Sequence, residues 1–248
     1  MHAILATVEG VEVRRSADRF TTVAPAQPDA AEGWARTRHS FSFGEHYDPD
    51  LVGFGPLVAL NDETVRAGEG YPEHTHRDVE IVSWVLSGTL GHSDSAGHSG
   101  TVGPGVVQRL SAGSGVTHAE GANGEDPVHF VQTWVRPDEA GTPPTYALRA
   151  VDEDALAAGW VPVASGSEPG AVVGLDSRGT TLWVTRLAPG DERSLPEASS
   201  AYVLLARGSA EVDPVGRLDE GDALQLSVPA PFRVVAHEPA ELLVWTFA

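Results

Sequence analysis

The 248-residue sequence contains no cysteine. That excludes a disulfide framework and thiolate ligands, so any metal site must be built from His and carboxylate. Lysine is missing as well: all 16 basic residues are Arg, a bias that reflects coding composition rather than a physical need. Positive charge is scarce, with 35 acidic residues and a formal net charge of −19. This argues against direct contact with nucleic acid, which needs a basic face to displace counterions, and against docking on anionic membranes. No apolar run approaches the roughly 20 residues of a membrane-spanning helix. Residues 1–15 lack a charged start followed by a long apolar core, so no signal peptide is expected. The expectation is a soluble, cytoplasmic protein, and a monomer.

Glycine and proline, by contrast, are plentiful at 27 and 18, beside an ordinary 41% hydrophobic content. Short strands joined by tight turns suit that composition better than long helices. Residues 3–15 read as a strand or two, followed by a loop over 24–33. His39–Phe43 alternates polar and apolar residues and reads as a half-buried strand closed by Gly44. Leu57–Val65, Asp78–Leu86 and Val128–Val135 are further strands, and short strands broken by glycine fill 89–116. The near-even spacing describes an all-β sandwich or barrel. Residues 137–169 read as a linker with one short helix capped at Gly159, after which the strand pattern resumes.

The halves resemble one unit used twice. The run SWVLSGTL near Val85 answers YVLLARGSAEV near Val203, and FVQTWV from Phe130 answers LLVWTF from Leu242, at offsets of about 111 to 118 residues. That period is far longer than a solenoid repeat and points to a duplicated barrel. The expected spans are 1–136 for a barrel with a metal site, 137–169 for the linker, and 170–248 for a barrel without ligands.

Two pairs of residues carry the chemistry. His74 and His76, and His118 and Glu120, are each spaced i, i+2 beside Gly-rich runs. Successive side chains on a strand alternate faces, so each pair aims both members the same way. Three imidazoles and one carboxylate suit Fe, Ni, Cu, Co, Mn or Zn rather than Ca or Mg. A closed structural zinc is the plain rival. Glu80, four residues after His76, is an alternative carboxylate at this point. The positions corresponding to the ligands in the second half fall near Glu192, Ser194, Val234 and Ala236, so the scaffold recurs without the donors. His2, His39, His46, His92, His98, His129 and His237 read as surface or hydrogen-bonded histidines.

The phrases RHSFSFGEHYDP, GFGPLVALN, PEHTHRDVEIVSWVLSGTLGHSDS and QRLSAGSGVTHAEG, running almost continuously from Arg38 to Glu120, resemble the pirin family of the cupin superfamily. The resemblance implies two tandem cupin (jelly-roll) barrels, the N-terminal one metal-binding and the C-terminal one degenerate. It implies His74, His76, His118 and Glu120 as the ligands of one divalent metal, Fe(II) before Ni, Cu, Co, Mn or Zn, which ranks Glu120 above Glu80. Val106 departs from the Asp that the family usually carries there. The resemblance also implies a quercetin (flavonol) 2,3-dioxygenase type of ring-opening oxidoreductase, acting on a small planar aromatic substrate with dioxygen. Glu120 would serve as general base, with the basicity of its carboxylate raised in a dry site. Phe41, Phe43 and Phe54 are candidates for the pocket wall, with core packing as the more ordinary role. The alternative it implies is a metal- or redox-gated regulatory protein that binds a transcription factor or metabolic enzyme. An isomerase or sugar-modifying cupin has no supporting feature in the residues.

Overall fold

The computed structural model describes residues 8–24, 33–229 and 231–248, and the chain forms two compact all-β units. His2, the start of the strand expected over 3–15 and most of the expected loop over 24–33 lie outside the described residues. One unit comprises Arg19–Val151 with Val172–Arg178; the other comprises residues 1–18 with Asp152–Ala171 and Gly179–Ala248.

In the unit that holds His74 and His118, the larger antiparallel sheet runs Thr145–Ala150, Val106–Ser111, Glu80–Ser87, Val128–Val135, Leu57–Val65, Ala35–His39, Phe20–Ala24 in spatial order. The smaller sheet runs Gly70–His76, Val116–Ala122, Leu90–Asp94, Ser99–Val102. The other unit repeats the plan with Val11–Arg14, Ala223–Leu226, Ser200–Arg207, Ala240–Phe247, Thr180–Leu187 and Val161–Ser165 in its larger sheet. Its smaller sheet is Glu192–Ser194, Arg233–Ala236, Ser209–Asp213, Gly216–Asp219. Two tandem cupin-type barrels are therefore present.

The central strands explain themselves. Glu80–Ser87 is buried along all but its last residue, so it carries a β-branched and aromatic run rather than an alternation. Val85, Leu90, Val102, Val128 and Phe130 form one core cluster, and Ile81, Leu110, Ala112 and Val116 another. In the second barrel Val203, Leu224, Val244 and Val234 share one apolar cluster. Val234 and Ala236, which stand near the positions of His118 and Glu120, are 0% and 2% exposed. Where the first barrel places the candidate ligands His118 and Glu120, the second packs hydrocarbon.

Three expectations change. The strand expected over His39–Phe43 ends at His39, because Ser42 turns the chain by hydrogen bonds with Asp48 and Leu51. Residues 137–151 do not form a linker: Thr145–Ala150 pairs with Val106–Ser111 at the edge of the larger sheet. The strand-forming TYALRA segment was hidden by the proline- and glycine-rich residues before it. The first barrel accordingly extends to Val151, while Val11–Arg14 completes the second by pairing with Ala223–Leu226. The short helix is present as Glu153–Ala158, with Asp152 accepting from Asp154 and Ala155 at its N-terminus and Gly159 at its end.

The strand pair that carries the candidate ligands depends on glycine. Gly70 faces Gly121 across the pair, and a Cβ on Gly121 would lie 2.7 Å from the Glu69 carbonyl and 2.8 Å from Gly70 Cα. We expect Gly121→Ala to lower unfolding free energy by about 1–3 kcal/mol through this overlap. Urea denaturation checks it, and an unchanged midpoint would show that the strands can part without cost.

Candidate metal centre

His74 and His76 lie on Gly70–His76, and His118 and Glu120 on Val116–Ala122. The strands pair antiparallel with His118 opposite His74, and a register shift falls between His118 and Glu120. Alternation along each strand turns the three imidazoles to one place: their ring centroids lie 4.4–4.9 Å apart, and their candidate donor atoms lie within 4.8 Å of one another.

The orientation of these rings bears on their chemistry. His74 Nδ1 donates to the Pro72 carbonyl at 2.8 Å, which leaves its lone pair on Nε2. His76 Nε2 and His118 Nε2 are both buried without a hydrogen-bond partner. A buried polar atom left unpaired costs about 1–3 kcal/mol, so two of them in one cluster fit a site built for an ion. Burial and, next, the neighbouring His118 and His74 push His76 down to about 4. Burial likewise brings His118 to about 4, with Glu120 only partly opposing it. Both rings are thus neutral at pH 7, the form that ligates metal.

Glu120 is buried at the same locus, with Oε1 3.8 Å from His118 Nδ1. Gln108 Nε2 donates to Oε1 at 3.0 Å and Gln132 Nε2 to Oε2 at 2.7 Å. Each amide is itself aimed: the Trp134 indole N–H donates to Gln132 Oε1, and the Tyr146 hydroxyl to Gln108 Oε1, both at 3.0 Å. An indole N–H only donates, so Gln132 must turn its carbonyl to Trp134 and its NH₂ to the carboxylate. Burial works to raise the Glu120 pKa, but His92, His118 and Gln132 outweigh it and hold the carboxyl below its ordinary value. This reverses the expectation of a raised basicity at Glu120.

Glu80 does not join the cluster. Its carboxylate accepts the Asp176 backbone N–H at 2.8 Å. The parity argument fails because His76 ends a strand of the smaller sheet and Glu80 begins one of the larger sheet. The break between them contains Asp78 at φ 52°.

The residues that sequence reasoning missed form one row. His39, Asn61, Gln132, Ser83 and Gln108 are register partners across five neighbouring strands of the larger sheet. The available signal was a Gln in the middle of each of two apolar runs, VVQRLS and FVQTWV. His92, expected only as a surface or hydrogen-bonded residue, is buried, with Nδ1 3.6 Å from Glu120 Oε1. His92, His118 and Glu120 form a second group of close donors. Burial lowers the His92 pKa, but Glu120 and Asp94 outweigh this and shift it up.

His74, His76, Glu120, Gln132 and Trp134 open on a cavity of about 530 Å³ whose wall also includes Phe43, Tyr71, Glu63 and His39. Of the three phenylalanines weighed between pocket and core, Phe43 is on the cavity wall, while Phe41 is a core residue only 2% exposed.

Known proteins resemble this chain in sequence and in fold. A family model described as Pirin matches residues 20–135. A Mycobacterium tuberculosis relative that bears the provisional name of a quercetin 2,3-dioxygenase is 42% identical over 95% of this chain and 94% of its own length. The pirin-like protein of Caulobacter vibrioides is 33% identical over 87% of this chain and 93% of its own. The chain belongs to the pirin family. Among solved structures, the bacterial pirin YhhW of Escherichia coli in complex with nickel(II) superposes with a TM-score of 0.83 at 27% identity, covering 96% of this chain and 98% of that one. A quercetin 2,3-dioxygenase of Escherichia coli is 40% identical over 50% of this chain and 54% of its own length. Among the described residues of this pirin, no helix is long and apolar enough to cross a membrane.

Glu63 on the cavity wall gives a pH test. The residue is only 4% exposed, and its carboxyl takes the Tyr71 hydroxyl as donor. Burial, reinforced by Glu120 and Asp62, pushes it up to about 7 against an ordinary 4.5, with Tyr71 only partly offsetting the rise. The native state therefore holds a proton that the unfolded chain has released between about pH 4.5 and 7, and stability falls as pH rises through that window. Glu63→Gln should remove this cost. Relative to wild type, the metal-free variant gains on the order of 2–3 kcal/mol at pH 8 over its value at pH 4.5. Parallel denaturation curves at the two pH values check it; an equal difference at both would refute a raised Glu63.

Proposed function

We propose that this pirin is a mononuclear metal-dependent oxidoreductase that opens a flavonol-like ring with dioxygen. The observation that carries the reading is the convergence of three imidazoles, two of them with unpartnered buried Nε2 atoms, beside a cavity edged by aromatic rings on which His74 and His76 open. His74, His76, His118 and Glu120 would hold one divalent transition ion, Fe(II) first among Fe, Ni, Cu, Co, Mn and Zn; a hard Ca or Mg site would use oxygen donors instead. When bound, the ion supplies Lewis acidity toward a substrate hydroxyl and access to dioxygen.

The chain's own groups divide the remaining work. Glu120, held below its ordinary pKa by His92, His118 and Gln132 against burial, would be the acceptor for a proton released by a hydroxyl in the cavity. Gln108 and Gln132 fix both carboxylate oxygens, so that proton arrives at a known place. Trp134 stands edge-on to His76, with ring centroids 4.7 Å apart and an interplanar angle of 76°, and Phe43 stands edge-on to Trp134 at 5.1 Å. Together they give a flat ligand an apolar surface beside the polar row. The relatives named for quercetin 2,3-dioxygenase support this substrate class.

The test is oxygen uptake with quercetin, using protein reconstituted separately with Fe(II), Ni(II), Cu(II) and Zn(II). Turnover should track metal content, and His118→Ala should lower both by at least about 100-fold, more than the loss of an outer partner costs. No uptake with any fully loaded metal would sink the dioxygenase reading and favour the regulatory binder.

A further inference from the structure

Behind His118 the structure places a chain of groups that the proposed reaction does not use. Asp94, with a side chain 0% exposed, receives the backbone N–H groups of Ala96 at 2.9 Å and His98 at 3.0 Å on Oδ1. It also receives the His98 ring Nδ1 at 3.0 Å on Oδ2. The same Oδ2 lies 3.3 Å from His92 Nε2. His92, with a side chain also 0% exposed, in turn places Nδ1 3.4 Å from His118 Nδ1. Tyr146 clamps the arrangement: its ring stacks on His92 at 4.8 Å and 15°, and on His98 at 5.3 Å and 19°.

These contacts have a direction. An ionised carboxylate can only accept, so the His92 proton sits on Nε2 and its lone pair on Nδ1. That lone pair faces His118 Nδ1, which must then carry the N–H. The remaining lone pair of His118 is thereby placed on Nε2, the buried atom without a partner. Glu120 Oε1 is farther from both rings, at 3.6 and 3.8 Å, and its two oxygens are already engaged by Gln108 and Gln132. His74 reaches the same tautomer by another device, the Pro72 carbonyl.

We propose that Asp94 and His92 are positioning residues, a carboxylate–imidazole relay that fixes the tautomer and ring plane of His118 for metal binding. This rests on the reading of His118 as a ligand. A ligating histidine generally donates its other ring N–H to a carboxylate, carbonyl or water. Here a second histidine takes that place, itself set by a buried aspartate. The pattern His-x-Asp in GHSDS thus belongs to the metal centre although neither residue is needed as a ligand.

The test is calorimetric titration of Ni(II) into metal-stripped protein at pH 8, above the ordinary range of imidazole protonation. Wild type, His118→Ala, His92→Phe, His92→Asn and Asp94→Asn are compared. Wild type should bind one ion and His118→Ala should not. His92→Phe should bind one ion about 10–100-fold more weakly. His92→Asn should recover most of that loss, because its Oδ1 stands where Nδ1 accepted. Should His92→Phe fail to fold, Asp94→Asn carries the test. Its amide can present NH₂ to His92 and reverse the tautomer, so similar weakening is expected in protein that a cooperative unfolding transition shows to be folded.

Wild-type affinity in His92→Phe, or in Asp94→Asn, would overturn the relay. An Asn variant at position 92 as weak as Phe would make the role one of packing and also overturn it. Complete loss of the ion in His92→Phe, matching His118→Ala, would overturn it too, by making His92 a ligand together with His118 and Glu120. Failure of wild type itself to bind would sink the metal reading, which separates the two ideas.

Discussion

A carboxylate buried in the core of a barrel and kept ionised is the constraint on which the rest of this site depends. Desolvation alone would protonate Glu120, at a cost of several kcal/mol for an uncompensated charge. The fold opposes that with the neighbouring His92 and His118 and with the Gln132 amide; Gln132 and Gln108 donate one to each oxygen, and each amide is aimed by an aromatic donor of its own. Polar residues that would burden a hydrophobic core are thereby satisfied, and the row from His39 to Gln108 is retained across five strands. A network of this kind is favourable when every member is paired and costly when one is not.

The two barrels show what the scaffold needs and what the chemistry adds. Both have the same order of strands around the same kind of core. In the second, Val234 and Ala236 fill with hydrocarbon the region where the first places His118 and Glu120. Since the barrel closes without those polar groups, their presence in the first is not a requirement of folding. The pair of unpartnered imidazole nitrogens there is a stability cost held at a functional place.

Membership of the pirin family fixes the architecture, while any choice of substrate would be made by the cavity. Its wall brings ionisable groups of opposite tendency together: Glu120 is held low by His92, His118 and Gln132 against burial, and Glu63 is pushed up by burial. Carboxyls driven apart in this way can take different proton roles in one cavity. The acidic surface leaves such a site accessible to a small neutral or phenolic ligand, whose recognition depends on shape and local polarity rather than on long-range steering.

The sequence by itself determined the all-β class, the duplicated barrel, the short helix at Glu153–Ala158 and the two i, i+2 pairs. All are local patterns, carried by alternation, turn residues and caps that a chain displays without being folded. What it could not settle depended on which strand meets which. Glu80 looked equivalent to Glu120 until the break at Asp78 sent it into another sheet. Residues 137–151 looked like a linker until Thr145–Ala150 found its partner strand. Gln108, Gln132 and the His92–Asp94 pair sit in three different strands, and only pairing register brings them around Glu120 and His118. Residue spacing along a strand fixes which way two side chains point; what they point at is decided by contacts between segments far apart in the chain, and those exist only in the tertiary structure.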